Sequence, residues 1–380
     1  MNVSKLVAVF VSVLALFASC GNEVDKETTS EVDIALDFPK KENLVNLSDI
    51  ADRVSFIPLT TNDSCRIGSV DKLIVTEKYF VVVDKSLAAS VFVFDKSGRF
   101  INRIGDRGHS KKEYLRLEDV VIDGNNAYVL DTKGKKIINY DMAGNYLESY
   151  PFAYTAYFFS HVSGDLFAFS CEYSKNHELA DGGKLPNFFL YDLKKGKIVD
   201  SDLFFDSSVS NDALPVSLNN LNPYLYYPFG DVVYNVEEDG LSPFVHIIYP
   251  QESAAQIEKY KEMVARKKMT NVDLDGFLGK MPRLVTFFDC TDLFFAFVVN
   301  EGFLYYNFYY PETGKLLQAV GNKGLPIVDD LHKSLVIMPQ AAFKGNLYYA
   351  EDIRNIPVGQ VAGKVAGDEN PVIVELHMRK

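Results

Sequence analysis

Tryptophan is absent from the 380 residues, cysteine occurs four times and histidine six. No HxxxH, HExxH or Cys-x-x-Cys spacing links them, so no recognisable zinc or haem site is written into the chain, and no cofactor is expected. Also missing are the GxSxG elbow, the Walker loop and a GxGxxG turn opening a helix, which removes the common hydrolase, nucleotide and dinucleotide readings. Basic charge is in deficit: 39 Lys+Arg against 51 Asp+Glu leave a net −12. With no Lys/Arg stripe to overcome that field, nucleic acid is not an expected partner. Helical periodicity is nearly absent after residue 44. The 28 Phe and 22 Tyr carry all the aromatic content and favour pleated sheet.

The first residues, MNVSKLVAVFVSVLALFASC, place one Lys before an apolar run and small residues before a cysteine, which is an export signal. The run from Leu6 to Phe17 is too short for a bilayer span, which takes about 20 residues. Phe17-Ala18-Ser19-Cys20 resembles a bacterial lipobox with Phe where Leu is usual. Residues 1–19 are therefore expected to be removed and Cys20 acylated, giving a membrane partner through a lipid anchor. Residues 20–43 are polar and acidic and are expected to form a flexible tether without helix or strand. Cys65, Cys171 and Cys290 remain, with no legible pairing. Cys171 and Cys290 are expected as buried thiols, and a bridge at Cys65 stays open.

From residue 44 onward short apolar or alternating runs such as KLIVTEKYFVVVD, SVFVFD and NFFLYD alternate with turn residues. The turns repeat: Phe94-Asp95 to Gly98, Tyr140-Asp141 to Gly144, Tyr191-Asp192 to Gly196, Tyr234-Asn235 to Gly240, and Tyr310 to Gly314. Their glycines are spaced by 46, 52, 44 and 74 residues. Asp or Asn can accept from the backbone two residues on, and Gly takes the positive φ that closes a hairpin. A period of about 45 residues holding four short strands is that of a propeller blade.

The expected fold is thus all-β: a six-bladed β-propeller of four-stranded antiparallel blades over residues 44–380. Its blades lie at 67–106, 113–152, 154–206, 214–250, 283–321 and from Pro326 on. The last blade lacks a strand, and residues 53–59 are expected to supply it, sealing the ring against 371–379. The long gap is assigned to a helical insertion at about 251–281, with Ile257, Tyr260 and Val264 on one face. It is expected to be a flap whose deletion leaves the propeller folded.

ADRVSFIPLTT, GDRGHSKKEYLRLEDVVID, NPYLYYPFGDVVYNVEEDGLSPFVHI and DENPVIVELHMRK, in that order behind a lipobox, resemble the six-bladed propeller lipoproteins of Bacteroides-type bacteria, relatives of the NHL-repeat propellers. That family often has Gly-Pro-Gly-Glu-Tyr where this chain has His109 to Tyr114. The resemblance implies architecture and an outer-membrane location facing periplasm or exterior. It implies no biochemical activity.

Candidate chemistry is sparse. Gly105-Asp106-Arg107-Gly108 lacks the following helix of a phosphate loop and reads as a blade linker. Glu113, Glu118, Asp119 and Asp123 could hold a carboxylate pair, and His161 with His246 could meet in a central channel. The preferred ligand-binding candidates lie on connections: Arg107, Lys111 and Tyr114 between blades 1 and 2, and Asn222, Tyr224 and Tyr226 leading into blade 4. An aromatic with Asn and Arg nearby can stack on and hydrogen-bond a sugar or peptide. The favoured reading is a non-enzymatic binding or scaffold module for a glycan, peptide or protein. Its rivals are a propeller lyase or hydrolase and a structural subunit of an envelope complex.

Overall fold

The computed structural model describes residues 30–206, 224–265, 276, 279–333, 335–357, 359–361 and 369–380. The signal, Cys20 and Asn222 lie outside them. Six four-stranded sheets follow one another along the chain. Blade 1 comprises Lys72–Val75, Tyr79–Asp84, Ser90–Asp95 and Phe100–Ile104. Blade 2 comprises Asp119–Asp123, Asn126–Asp131, Lys136–Asp141 and Tyr146–Pro151. Phe158–Ser163, Leu166–Ser170, Phe188–Asp192 and Lys197–Asp202 form blade 3. Arg283–Asp289, Phe294–Asn300, Phe303–Tyr310 and Lys315–Gly321 form blade 5.

Middle strands read as apolar runs because each blade is sandwiched between two others and buries both faces, as in the second and third strands of blade 1, each buried at all but one end residue. The fourth strands, FINRI and KIVDSD, alternate because only one face is covered. With no indole available, Phe and Tyr fill the spaces between blades. Phe152 stacks on Phe169 at 4.6 Å, and Phe169 on Phe189 at 5.2 Å, joining blades 2 and 3.

The repeated turns work as their residues imply. In blades 1, 2 and 3 the aspartates at 95, 141 and 192 accept side-chain bonds from the backbone N–H of Ser97, Asn145 and Lys195 at 2.9, 2.8 and 2.8 Å. Their carbonyls accept from Gly98, Gly144 and Gly196, each at 2.9 Å and each glycine at positive φ. The Ser97 hydroxyl, with Arg99, holds the Asp95 carboxyl down at about 2. An unfolded aspartate titrates near about 3.9, so this contribution is complete above that pH and is lost as pH falls through about 2. Asp95→Asn should lower stability at pH 7 by about 1–2 kcal/mol, discounting for partial exposure, with the gap to wild type closing as pH approaches 2. Urea unfolding across that range measures it. In blade 4 the motif sits elsewhere: Gly240 joins the second and third strands, not the third and fourth.

The ring closes where expected. Ala51–Pro58 pairs antiparallel with Val372–Met378, in register from Pro58 opposite Val372 to Arg53 opposite His377 with a bulge before Ala51 meets Met378, and completes blade 6 beside Ala341–Phe343 and Asn346–Glu351. The closing strand then meets blade 1: Thr60 N–H donates to Gly98 O at 2.8 Å, and a Cβ on Gly98 would lie 2.1 Å from Pro58 O. Only glycine fits that crossing.

Two expectations are corrected. Residues 30–43 are not part of a loose tether. Val32–Ala35 is a strand that pairs parallel with Gly240–Ile248 and becomes the fourth strand of blade 4, beyond Tyr224–Tyr226 and Val232–Glu237. The blades are therefore not all antiparallel. The physical reason is local: after Ile248, Tyr249-Pro250 turns the chain into the helix Gln251–Ala265 instead of a fourth strand, leaving an edge that the N-terminal segment covers. The segment continues past blade 5, where Asn43 bridges Val320, pairs through Val45–Asn46 with Ile327–Val328 in a separate two-stranded ribbon, and then enters blade 6 as Ala51–Pro58. It is a strap over three blades.

The helix is likewise no detachable flap. Ile257 and Tyr260 are buried in one cluster with Phe229, Tyr249, Met281 and Leu284, and the Phe229 and Tyr260 rings are 5.4 Å apart. Deleting 251–281 would open the core between blades 4 and 5.

Candidate functional site: the central channel

The first strands of blades 1, 2, 3, 5 and 6 converge on a cavity of about 270 Å³. Its wall mixes apolar side chains, among them Ile74, Val121, Phe159, Phe288 and Phe343, with polar groups in similar measure, among them Lys72, Thr76, Ser160 and His161. A second cavity of about 220 Å³, between blades 1, 5 and 6, shares Lys72 and Leu73 with the first and adds Thr286, Tyr306 and Gln340. Lys72 thus stands between the two.

It begins the inner strand of blade 1 and reaches the Asp119 carboxylate at 2.8 Å and Val120 O at 2.9 Å, at the start of the inner strand of blade 2. Asp119 also accepts from Phe159 N–H at 3.2 Å, so this one carboxylate ties blades 1, 2 and 3. Their side chains are 8% and 0% exposed. Burial pushes the Lys72 pKa down and Asp119 pushes it back up, with burial the larger effect. The pair was legible only as a coincidence of position: DKLIV and EDVVI each put a charge just ahead of the inner apolar run of consecutive repeats.

The remaining acidic candidates have separate partners. Glu118 holds Arg116 at 2.9 Å and accepts from the Thr132 hydroxyl at 2.9 Å. Glu113 accepts from Ser110 N–H at 3.0 Å. Asp123 faces His161, whose Nδ1 is 3.5 Å away and whose Nε2 lies 3.0 Å from Gly164 O. His246 is on the third strand of blade 4 beside Asp33 and Asp231, not in the channel, so the two histidines do not meet. Among the described residues no three His, Cys, Asp or Glu side chains are placed to hold a metal. Cys65, Cys171 and Cys290 are buried free thiols.

The connection candidates fare unequally. Tyr114 and Tyr226 are about 1% exposed. The Tyr114 hydroxyl donates to Ala89 O at 2.9 Å, and Tyr226 Oη accepts from Phe287 N–H at 3.3 Å. Both are core residues that tie neighbouring segments and cannot stack on a ligand. Tyr224 is half-buried, stacks on Phe244 at 4.9 Å and donates to Asp289 at 2.7 Å. It ties blade 4 to blade 5. Lys111 lies over the Tyr146 ring at 5.5 Å, on the outer side of blade 2. Arg107 is exposed in the linker between blades 1 and 2 and lines a separate cavity there. Gly105 makes that linker possible, at φ +64° with the Tyr140 hydroxyl 2.6 Å from where a Cβ would stand.

A closed ring of six four-stranded blades around a central channel, tied across three blades by the buried Lys72–Asp119 pair, defines a β-propeller. The chain belongs to the family described as a domain of unknown function, DUF4934, which matches residues 29–377. No curated protein matches it. Among solved structures it is similar to a presumed exported protein of Bacteroides fragilis, at TM-score 0.68 and 15% identity over 92% of this chain and 99% of that one. It is also similar to a member of the DUF4221 family from Bacteroides vulgatus, at TM-score 0.50 and 11% identity over 90% and 99%. At such identities these likenesses show the fold.

Proposed function

We propose that this protein is a lipid-anchored binding module of the cell envelope, non-enzymatic, held by acyl chains on Cys20 and offering the propeller channel to a glycan, peptide or protein partner. The observation that carries this is the channel wall. Apolar side chains and polar groups together surround a cavity just below the range of about 300–1,000 Å³ usual for ligand sites, and among the described residues its lysine, Lys72, is spent on holding the blades together. Such a wall recognises by shape together with hydrogen bonds at its polar groups. The export signal, the lipobox and the presumed export of the Bacteroides fragilis relative support an envelope location. Acyl chains of the kind a lipobox receives bind membranes durably when more than one is attached.

The test uses the chain from Gly21 on glycan and peptide arrays, beside Ser160→Phe, which fills the channel cavity. A ligand retained by wild type and weakened at least tenfold by the plug supports the reading. Equal retention by both, or turnover of the retained compound, overturns it. For the anchor, labelled palmitate should enter full-length protein and not Cys20→Ala.

A further inference from the structure

We propose that the cleft between blades 1 and 2 is a second binding site, distinct from the channel, that takes the anionic group of a small ligand, a carboxylate or a sulfate ester. The cavity, about 320 Å³, lies between the turn at 85–89 and the linker at 105–118. Three cations line it, Lys85, Arg107 and Arg116, against one carboxylate, Glu118. That carboxylate already holds Arg116 at 2.9 Å and the Thr132 hydroxyl at 2.9 Å.

Lys85 gives one hydrogen to Glu118 O at 3.1 Å, and an ammonium has two more to offer. Arg107 is exposed and has no side-chain partner among the described residues. Among the side chains that line the cleft, cations therefore outnumber carboxylates, in a chain whose net charge is −12.

The loops bearing these cations are fixed. Asp131 accepts from the N–H groups of Leu115 and Arg116 at 2.8 and 3.1 Å, and Asp71 accepts from those of Lys85 and Ser86 at 2.7 and 2.9 Å. A fixed backbone under the cations lowers the entropy lost on meeting an oxyanion, and the Arg fork matches a planar carboxylate. Ala89, Leu115 and Leu117 supply apolar wall for the body of the ligand. The acidic field of the rest of the molecule favours a small, singly charged ligand over a polyanion.

This site stands without any ligand in the channel, and its test is separate. The chain from Gly21 is titrated calorimetrically with sodium glucuronate, glucose 6-sulfate and glucose at constant ionic strength. At least one of the two anions should bind saturably and glucose should not, and the better anion tells a carboxylate from a sulfate source. Arg107→Gln should weaken that binding at least tenfold at unchanged melting temperature, whereas Lys133→Gln and the channel plug Ser160→Phe should leave it intact. The proposal is overturned if neither anion saturates, if glucose binds equally, if chloride competes as well as either anion, or if Arg107→Gln binds like wild type.

Discussion

A chain begun at residue 44 is expected to be far less stable than one begun at Gly21, although residue 44 is where the strand pattern of the propeller starts in the sequence. Residues 30–43 supply the fourth strand of blade 4, with Ile34 and Leu36 1% and 6% exposed. Leu36 N–H donates to Ile248 O at 3.0 Å, and the Phe38 ring sits 6.1 Å from Tyr249 and 4.9 Å from Tyr305. Gln318 donates to Asp37 O at 2.9 Å, fastening the segment to blade 5 as well. Losing one buried aliphatic side chain costs about 2–5 kcal/mol, so Ile34→Ala should fall in that range. The truncation should cost more, because it also leaves the outer edge of the strand unpaired from Val245 to Ile248 and so exposes a new sheet edge. Urea unfolding of the three chains decides it. Equal midpoints for the chains begun at 21 and 44 would show that the strap contributes nothing to the ring.

The second large effect concerns the channel. Lys72→Met should cost about 3–5 kcal/mol, because Asp119 would be left as an uncompensated charge at 0% exposure with only the Phe159 N–H to satisfy it. Lys72→Met combined with Asp119→Leu should recover most of that loss, since a well-packed apolar pair in place of a buried ion pair is often neutral or stabilising. The double-mutant cycle is therefore expected to be strongly non-additive. A double variant no more stable than Lys72→Met alone would mean that the bonds to Val120 O and Phe159 N–H, not the charge pairing, hold the inner strands together.

These two effects mark where reading the chain succeeds and where it stops. Strand identity was legible because period-two alternation and apolar runs report burial directly, and the Asp–Gly hairpins were legible because their hydrogen bonds are local. Ring closure by Ala51–Pro58 was also accessible, since the last repeat visibly lacks a strand. The Val32–Ala35 strand was hidden: GNEVDKETTSEVD is acidic and short of apolar residues, and nothing within it shows that an edge more than 200 residues later in the chain lacks a partner. The site suffered in the same way. Tyr114 lies on a connection as expected and Tyr226 on the first strand of blade 4, not on the connection before it, and whether such a ring meets solvent or another blade depends on packing that spans repeats. Arg107 and Lys111, four residues apart, meet different surroundings, a cleft wall for one and the Tyr146 ring for the other.

By itself the sequence determined the repeat, the hairpins and the seam of the toroid, because each rests on interactions within about ten residues or on counting units. Only the tertiary structure decided which charges are spent inside, which cations share a cleft, and that the N-terminal strap belongs to three blades. Those outcomes depend on surfaces that exist only once all six sheets have closed around a common axis.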